Sequence, residues 1–307
     1  MPQASKIIRK LAFWSIPLAF GVMGLKFVAW HLTGSIALYS DALESIVNVI
    51  AALAAFVAIG YAQKPADTGH PYGHHKAEYF SAVLEGVLIV VAALLIVNEA
   101  VGGLIAPERI EAPVLGLAIN ASAAVINGIW AAILLRVGRL HRSPALQADG
   151  HHILSDVVTS VGVIAGLGLA LAFDQPRLDP LLALIVAVNV LWQGWKVIAS
   201  SVDGLMDRAI DPIDEQRIQE IIKSEAVGAI EAHDIRTRMA GRASFVEFHL
   251  VVDGEMSVEE SHAICDRLET ALRQAVEGVR VIIHVEPAHK AKDEGVVLGQ
   301  EAGGLPT

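Results

Sequence analysis

The sequence predicts a polytopic α-helical membrane protein: six transmembrane helices followed by a cytoplasmic α+β domain. Three observations carry this. Of 307 residues, 54% are hydrophobic and only 18% charged, too apolar a balance for an ordinary soluble domain. Six apolar segments each approach the roughly 20 residues that cross a bilayer. The apolar runs then stop near residue 205, where a charged, alternating pattern takes over. The expected boundaries are 1–207 for the membrane domain, 208–290 for the cytoplasmic domain and 291–307 for a disordered tail rich in Gly, Glu and Lys, with too few large apolar side chains to order itself.

The spans are expected near 11–31, 35–62, 80–104, 113–137, 145–172 and 178–201. The first run, Leu11 to Trp30, is long enough to be a span itself, so no cleavable signal peptide is read there. Lys6, Arg9, Lys10, Lys64, Lys76, Arg136, Arg139, Arg142 and Arg208 gather on one side, against Arg109 and Arg177 on the other. The positive-inside rule then places both termini in the cytoplasm, most naturally across the cell (inner) membrane. Cys265 is the single cysteine, so an intrachain disulfide is excluded and a reducing compartment fits. A net charge of −10 argues against nucleic acid as a partner.

Beyond the last span, Asp211-Pro212 reads as an N-cap with proline in the first turn, opening a helix to about Ser224. His233 to Met239 and Ser244 to Val252 read as strands joined around Gly241. Ser257-Val-Glu-Glu260 has capping-box spacing and opens a helix to about Glu277, before a third strand from Val279 to Glu286. The order helix–strand–strand–helix–strand suggests a small sheet with helices on one face.

The chemistry is concentrated in the spans. Asp149-Gly-His-His152-Ile-Leu-Ser-Asp156 opens the fifth, and Asp41-Ala-Leu-Glu44-Ser-Ile-Val-Asn48 lies in the second. His152 and Asp156, like Glu44 and Asn48, are four apart and share a helix face. Ionisable groups in lipid are costly and mark ion or proton pathways. Two carboxylates, one imidazole and one amide oxygen make a ligand set for a divalent transition metal. The bland alternative is polar pairing between helices. Asp41 and Asp149, three residues before a proposed ligand, are expected to support it from behind or to serve the helix terminus.

Two further clusters follow. Asp67, His70 and His74 in the turn-rich loop Asp67-Thr-Gly-His-Pro-Tyr-Gly-His-His-Lys76 can converge on one ion, or can be a solvated loop. In the strands, alternation puts Val246, Phe248, Leu250 and Val252 on one face and Glu247 and His249 on the other. His284 and Glu286 share the corresponding face of the third strand. His233 falls on the more apolar side of its strand and reads equally as a core histidine, while His262 on the helix can join the cluster. Eleven of twelve histidines avoid the outer side, His31 being the exception.

Taken together, the six spans, the paired motifs of spans two and five, the Gly-His-Pro-Tyr-Gly-His-His-Lys-Ala-Glu78 loop and the αββαβ domain resemble the cation diffusion facilitator family, the zinc-transporter-like exporters. The resemblance spans about residues 8 to 290. It implies a homodimer in the lipid bilayer that exchanges cytoplasmic Zn²⁺, or a related ion, for protons. It places the transport site at Glu44, Asn48, His152 and Asp156, a loop site at Asp67, His70 and His74, and a site in a metallochaperone-like cytoplasmic domain at His233, His249, His262, His284 and Glu286. Lys76 and Asp207 match positions of a charge interlock between protomers. Where zinc members carry two Asp, or His with Asp, span two here carries Glu44 and Asn48. That less anionic pair keeps Fe²⁺, Co²⁺ and Mn²⁺ open as substrates.

The mechanism expected is alternating access, with protons competing for the ligands on the outer side. A membrane metalloenzyme is the rival, but neither His-Glu-x-x-His nor Gly-x-Ser-x-Gly occurs, so no enzyme is expected. A second rival is a relative that senses metal through its soluble domain without transporting it.

Overall fold

The computed structural model describes residues 2–33, 36–106, 114–173, 175, 177–292 and 296–297. The chain divides into two compact units, Met1–Asp203 and Gly204–Thr307.

The first unit is built from six helices: α1 (Pro2–Thr33), α2 (Ile36–Ala62), α3 (Ala77–Ile105), α4 (Val114–Leu140), α5 (Pro144–Phe173) and α6 (Leu178–Leu205). At 1.5 Å per residue, 27 residues or more exceed the hydrocarbon thickness of a bilayer. Among the described residues, α1, α2, α3, α4 and α6 each carry a stretch long and apolar enough to cross a membrane. The N-terminal half of α5 instead holds Asp149, His151, His152 and Asp156. It packs against α2, α3 and α4, and α1 covers α2 and α4.

Small residues permit this closeness, as lipid supplies no hydrophobic drive between helices. A Cβ on Gly150 of α5 would lie 2.8 Å from Leu135 Cγ of α4. One on Gly86 of α3 would lie 2.7 Å from Ile198 Cγ1 of α6. Ile8, Ile59, Leu134, Leu146 and Ile153 form the apolar core of the unit beside the site.

The second unit holds α7 (Pro212–Glu225), β1 (Glu231–Ala240), β2 (Ala243–Val252), α8 (Val258–Ala275), β3 (Val279–Pro287), a 3₁₀ turn at Ala288–Lys290 and β4 (Val296–Val297). The sheet order is β3-β2-β1-β4; β2 runs parallel to β3 through α8, and the other pairs are antiparallel. Val246, Phe248, Leu250 and Val252 of β2 face Ile218 and Ile222 of α7 and Ile264, Leu268 and Leu272 of α8. Both helices therefore cover one face, as the helix–strand order suggests. β4 lies within the stretch expected to be a disordered tail. There, Val296 and Val297 pair with Ala232 and Glu231, using an edge of β1 that would otherwise leave its backbone groups unpaired.

Asp211 caps α7 by accepting the Ile213 N–H at 3.0 Å. Ser257 and Glu260 form a full capping box on α8: the Ser257 hydroxyl accepts the Glu260 N–H, and the Glu260 carboxylate accepts the Ser257 N–H at 2.9 Å. The Ser257 hydroxyl, then its N–H, hold the Glu260 carboxyl below its ordinary value.

Two outcomes follow for α8. Ser257→Ala should cost about 1 kcal/mol, speeding hydrogen exchange in the first turn of α8 roughly fivefold. Because the folded carboxyl of Glu260 titrates low, its contribution is present at neutral pH and fades as acid protonates it. Glu260→Gln should therefore speed the same exchange at neutral pH and leave it unchanged in strong acid.

Candidate metal centres

The first centre is assembled by α2 and α5. The Asn48 amide N–H donates to Asp156 Oδ2, and its Oδ1 lies 2.6 Å from His152 Nε2. All three residues are buried, Asn48 at 7%, His152 at 3% and Asp156 at 6% exposure. An amide carries both a donor and an acceptor, so it can bridge an imidazole and a carboxylate at once. Asn48 therefore joins the span-two motif to the span-five motif across 104 and 108 residues of sequence. His152 Nδ1 is buried and has no hydrogen-bond partner. Three possible ligand atoms thus meet from two helices. Glu44 sits one turn before Asn48 on α2, which puts it on the same face. Its side chain and that of Asp41 lie outside the described residues.

Asp149 does not contact this trio in any hydrogen bond described. It is 1% exposed and accepts the Ser15 hydroxyl of α1 at 2.9 Å; Ser15 in turn accepts the Trp130 indole N–H of α4 at 2.9 Å. A cavity bounded by α1, α2, α4 and α5 is lined by Ser15, Ser45, Asn48, Asn127 and Asp149. Ser15 and Trp130 carry no sequence signal, since a lone serine and a lone tryptophan in apolar runs are ordinary span residues.

The second centre is the loop between α2 and α3. Asp67 Oδ1 accepts the N–H groups of Gly69 at 2.9 Å and His70 at 2.7 Å, an Asx turn that fixes the carboxylate. The His70 N–H chiefly holds the Asp67 carboxyl below its ordinary value. His70 Nδ1 lies 3.3 Å and His74 Nε2 3.4 Å from Asp67, so one atom from each of the three residues falls within 4.8 Å of the others. His74 is 5% exposed, and its ring meets Tyr61 of α2 edge-on at 4.7 Å. Gly73, at φ +90°, makes the turn that returns His74 toward Asp67.

The third centre lies on the sheet face opposite α7 and α8. Strand register does the assembly: His233 of β1 pairs with His249 of β2, which pairs with His284 of β3, a row of three histidines across three strands. Ring centroids are 5.2 Å and 4.9 Å apart. Glu286 reaches back to His233 Nε2 and His249 Nδ1, both at 3.3 Å, and lies 3.8 Å from His284 Nε2. Both of the closer nitrogens are buried and make no hydrogen bond. Among the described residues, His233, His249 and Glu286 meet the geometry of a metal-holding group.

His233 is not a core histidine. The ladder slips between His233 and Arg236, where Asp234 adopts φ +51°. This bulge breaks the alternation that would have placed His233 with Ile235 on the helix side. Glu231, which the sequence reading passed over, accepts from His233 Nδ1 at 2.8 Å and orients the ring. Its i, i+2 spacing on a strand was the available signal. Lys292 Nζ binds Asp234 at 2.7 Å and lowers its carboxyl.

His262 is not brought into this cluster within one chain. It lies exposed on α8 beside Asp266 at 3.4 Å, with the helix packed on the other face of the sheet. Lys76 sits at the N-cap of α3. Asp207 belongs to the second unit, where it pairs with Arg238 at 3.1 Å.

The comparisons agree across both units. The profile of the "Cation efflux transmembrane domain" matches residues 12–206, and that of the "Cation efflux protein, cytoplasmic domain" matches residues 210–288. The chain is 42% identical over 288 residues to an uncharacterised transporter, sll1263, of Synechocystis sp., covering 94% of this chain and 93% of that one. It is 31% identical over 286 residues to the cation-efflux pump FieF of Serratia proteamaculans, covering 93% and 95%. With a membrane unit and a cytoplasmic unit both matched, the chain belongs to the cation diffusion facilitator family of metal-cation efflux transporters.

Proposed function

We propose that this protein exports a divalent transition metal ion, Zn²⁺ first among candidates, in exchange for protons by alternating access. The observation that carries the reading is the meeting of Asn48, His152 and Asp156 at the buried contact of α2 and α5. Glu44 completes a donor set of two carboxylates, one imidazole and one amide oxygen. In the cycle, the ion displaces the mutual hydrogen bonds of these groups from the cytoplasmic side. On the far side protons compete for the imidazole and the carboxylates, and the ion leaves. Asn48 contributes a neutral oxygen, so the site has one negative charge fewer than a two-carboxylate pair on α2 would supply. That favours a broad substrate range including Fe²⁺, Co²⁺ and Mn²⁺. Asp149 supports the trio from the side of the cavity, bonded to α1 through Ser15, and Asp41 serves the start of α2.

The chain works as a homodimer in the cell membrane with both termini cytoplasmic. Asp67, His70 and His74 hold a second ion at the membrane edge. His233, His249, His284 and Glu286 hold another in the cytoplasmic domain, with His262 supplied by the partner protomer, since within its own chain α8 faces away from the cluster. Lys76 and Asp207 join the protomers at the junction of the two domains.

The transport reading is tested with proteoliposomes that enclose a metal-sensitive dye. His152→Ala and Asp156→Ala should each abolish Zn²⁺ uptake and weaken binding by more than the ~10–100-fold that loss of an outer partner of a ligand costs. Unaltered uptake in either variant would end the proposal. Asn48→Asp should raise Zn²⁺ affinity relative to Mn²⁺ in competition dialysis. Glu286→Ala should lower the metal bound per protomer by one and leave the transport site filled, read by elemental analysis after dialysis.

A further inference from the structure

Glu85 lies on α3, two turns in from Ala77, and is 0% exposed. The Ser81 hydroxyl, one turn earlier, donates to its Oε1 at 3.1 Å. Oε2 is buried and has no hydrogen-bond partner. The described groups that meet this part of α3 from α5 and α6 offer no relief. From α5 comes Asp149, whose like charge acts on Glu85. From α6 come Gly194 and Ile198, packed against Gly86. On α3 itself Glu78 is engaged by Ser143 of α5. Among the described residues no cation acts on Glu85.

An ionised carboxylate with one orphaned oxygen, a carboxyl neighbour and no cation is untenable in a span. Either a proton or a metal ion must meet Oε2. A metal ion takes four or more donors, commonly His, Cys or several oxygens, whereas the described polar groups acting on Glu85 are the Ser81 hydroxyl, already donating to Oε1, and the Asp149 carboxyl. A proton needs only Oε2.

We propose that Glu85 is a proton-carrying residue of the transport cycle, separate from the metal ligands. Its carboxyl holds a proton on Oε2 in this conformation. That O–H bond breaks when metal loads, the proton passing to a water on the cytoplasmic side as hydronium; it re-forms on the far side by taking a proton from hydronium there, which is left as water. The link to metal runs along α5, which carries Asp149 beside Glu85 and then His152 and Asp156 within two turns. A divalent charge arriving at those ligands favours the ionised form of Glu85 through a low-dielectric interior. Export and proton release are thereby tied. The inference rests on the proton-coupled reading above and extends it to a second proton site.

The test uses the full-length protein in liposomes, with a metal dye and a pH dye inside. The wild type should move protons against Zn²⁺. Glu85→Gln, fixed in the neutral form, should move one proton fewer per metal ion while binding as much Zn²⁺ per protomer as the wild type. If the wild type moves no protons, the antiport reading fails and this inference with it. If the wild type moves them and Glu85→Gln keeps the same ratio, only this inference is overturned. One Zn²⁺ fewer bound by Glu85→Gln makes the residue a metal ligand and also overturns it. Should Glu85→Gln not fold, infrared difference spectra between metal-free and Zn²⁺-loaded protein decide. A protonated-carboxyl band should vanish on loading in the wild type and shift in Glu85→Asp, and an unshifted band rejects the assignment.

Discussion

Polar groups placed inside a membrane helix must find one another, because the bilayer core has no water to satisfy them. In this protein that constraint is met chiefly by Asn48, which gives its N–H to Asp156 and lies against His152 through its oxygen. The same demand ties Asp149 to Ser15 and Trp130 on two further helices. The arrangement of α1, α2, α4 and α5 follows from these contacts as much as from the apolar core around Ile59, Leu134 and Leu146. Groups that satisfy one another this way can be pulled apart by a charged ligand that satisfies them better.

The three centres share one logic at three addresses. Each joins a carboxylate to imidazole, directly in the loop and the sheet and through Asn48 in the spans, and each is positioned by a different backbone device: helix packing for Asp156 and His152, an Asx turn for Asp67, strand register for Glu286. The cytoplasmic cluster is the tightest expression of this. A parallel β2–β3 pair and an antiparallel β1–β2 pair put His233, His249 and His284 in one row, and only a strand two residues longer is needed to add Glu286. Glu231 on the edge of that row orients His233 and also accepts the Lys292 N–H at 3.0 Å. The tail following β3 is therefore stitched to the cluster it passes.

The amide at position 48 of α2 gives this candidate centre its character. A carboxylate at position 48 would repel Asp156, whereas Asn48 binds it. The neutral group lets the site close on itself, and it weakens the electrostatic hold on a divalent ion. The Asp149 carboxyl shares the cavity with Asn48, and the Glu85 carboxyl lies on α3, outside the trio.

The sequence alone determined the composition of the spans, the cap positions at Asp211 and Ser257, and the facing of β2, because periodicity and capping chemistry are local properties. The candidate site residues at positions 48, 152 and 156 were readable for the same reason, because polar side chains in lipid stand out in an apolar run, and the structure brings these three into contact. Tertiary structure decided the rest. The bulge at Asp234 that turns His233 outward depends on a ladder slip that no local pattern encodes. The pairing of Ser15 and Trp130 with Asp149, the strand at Val296–Val297 and the isolation of Glu85 each depend on what another element brings near, and chain order does not specify that distance.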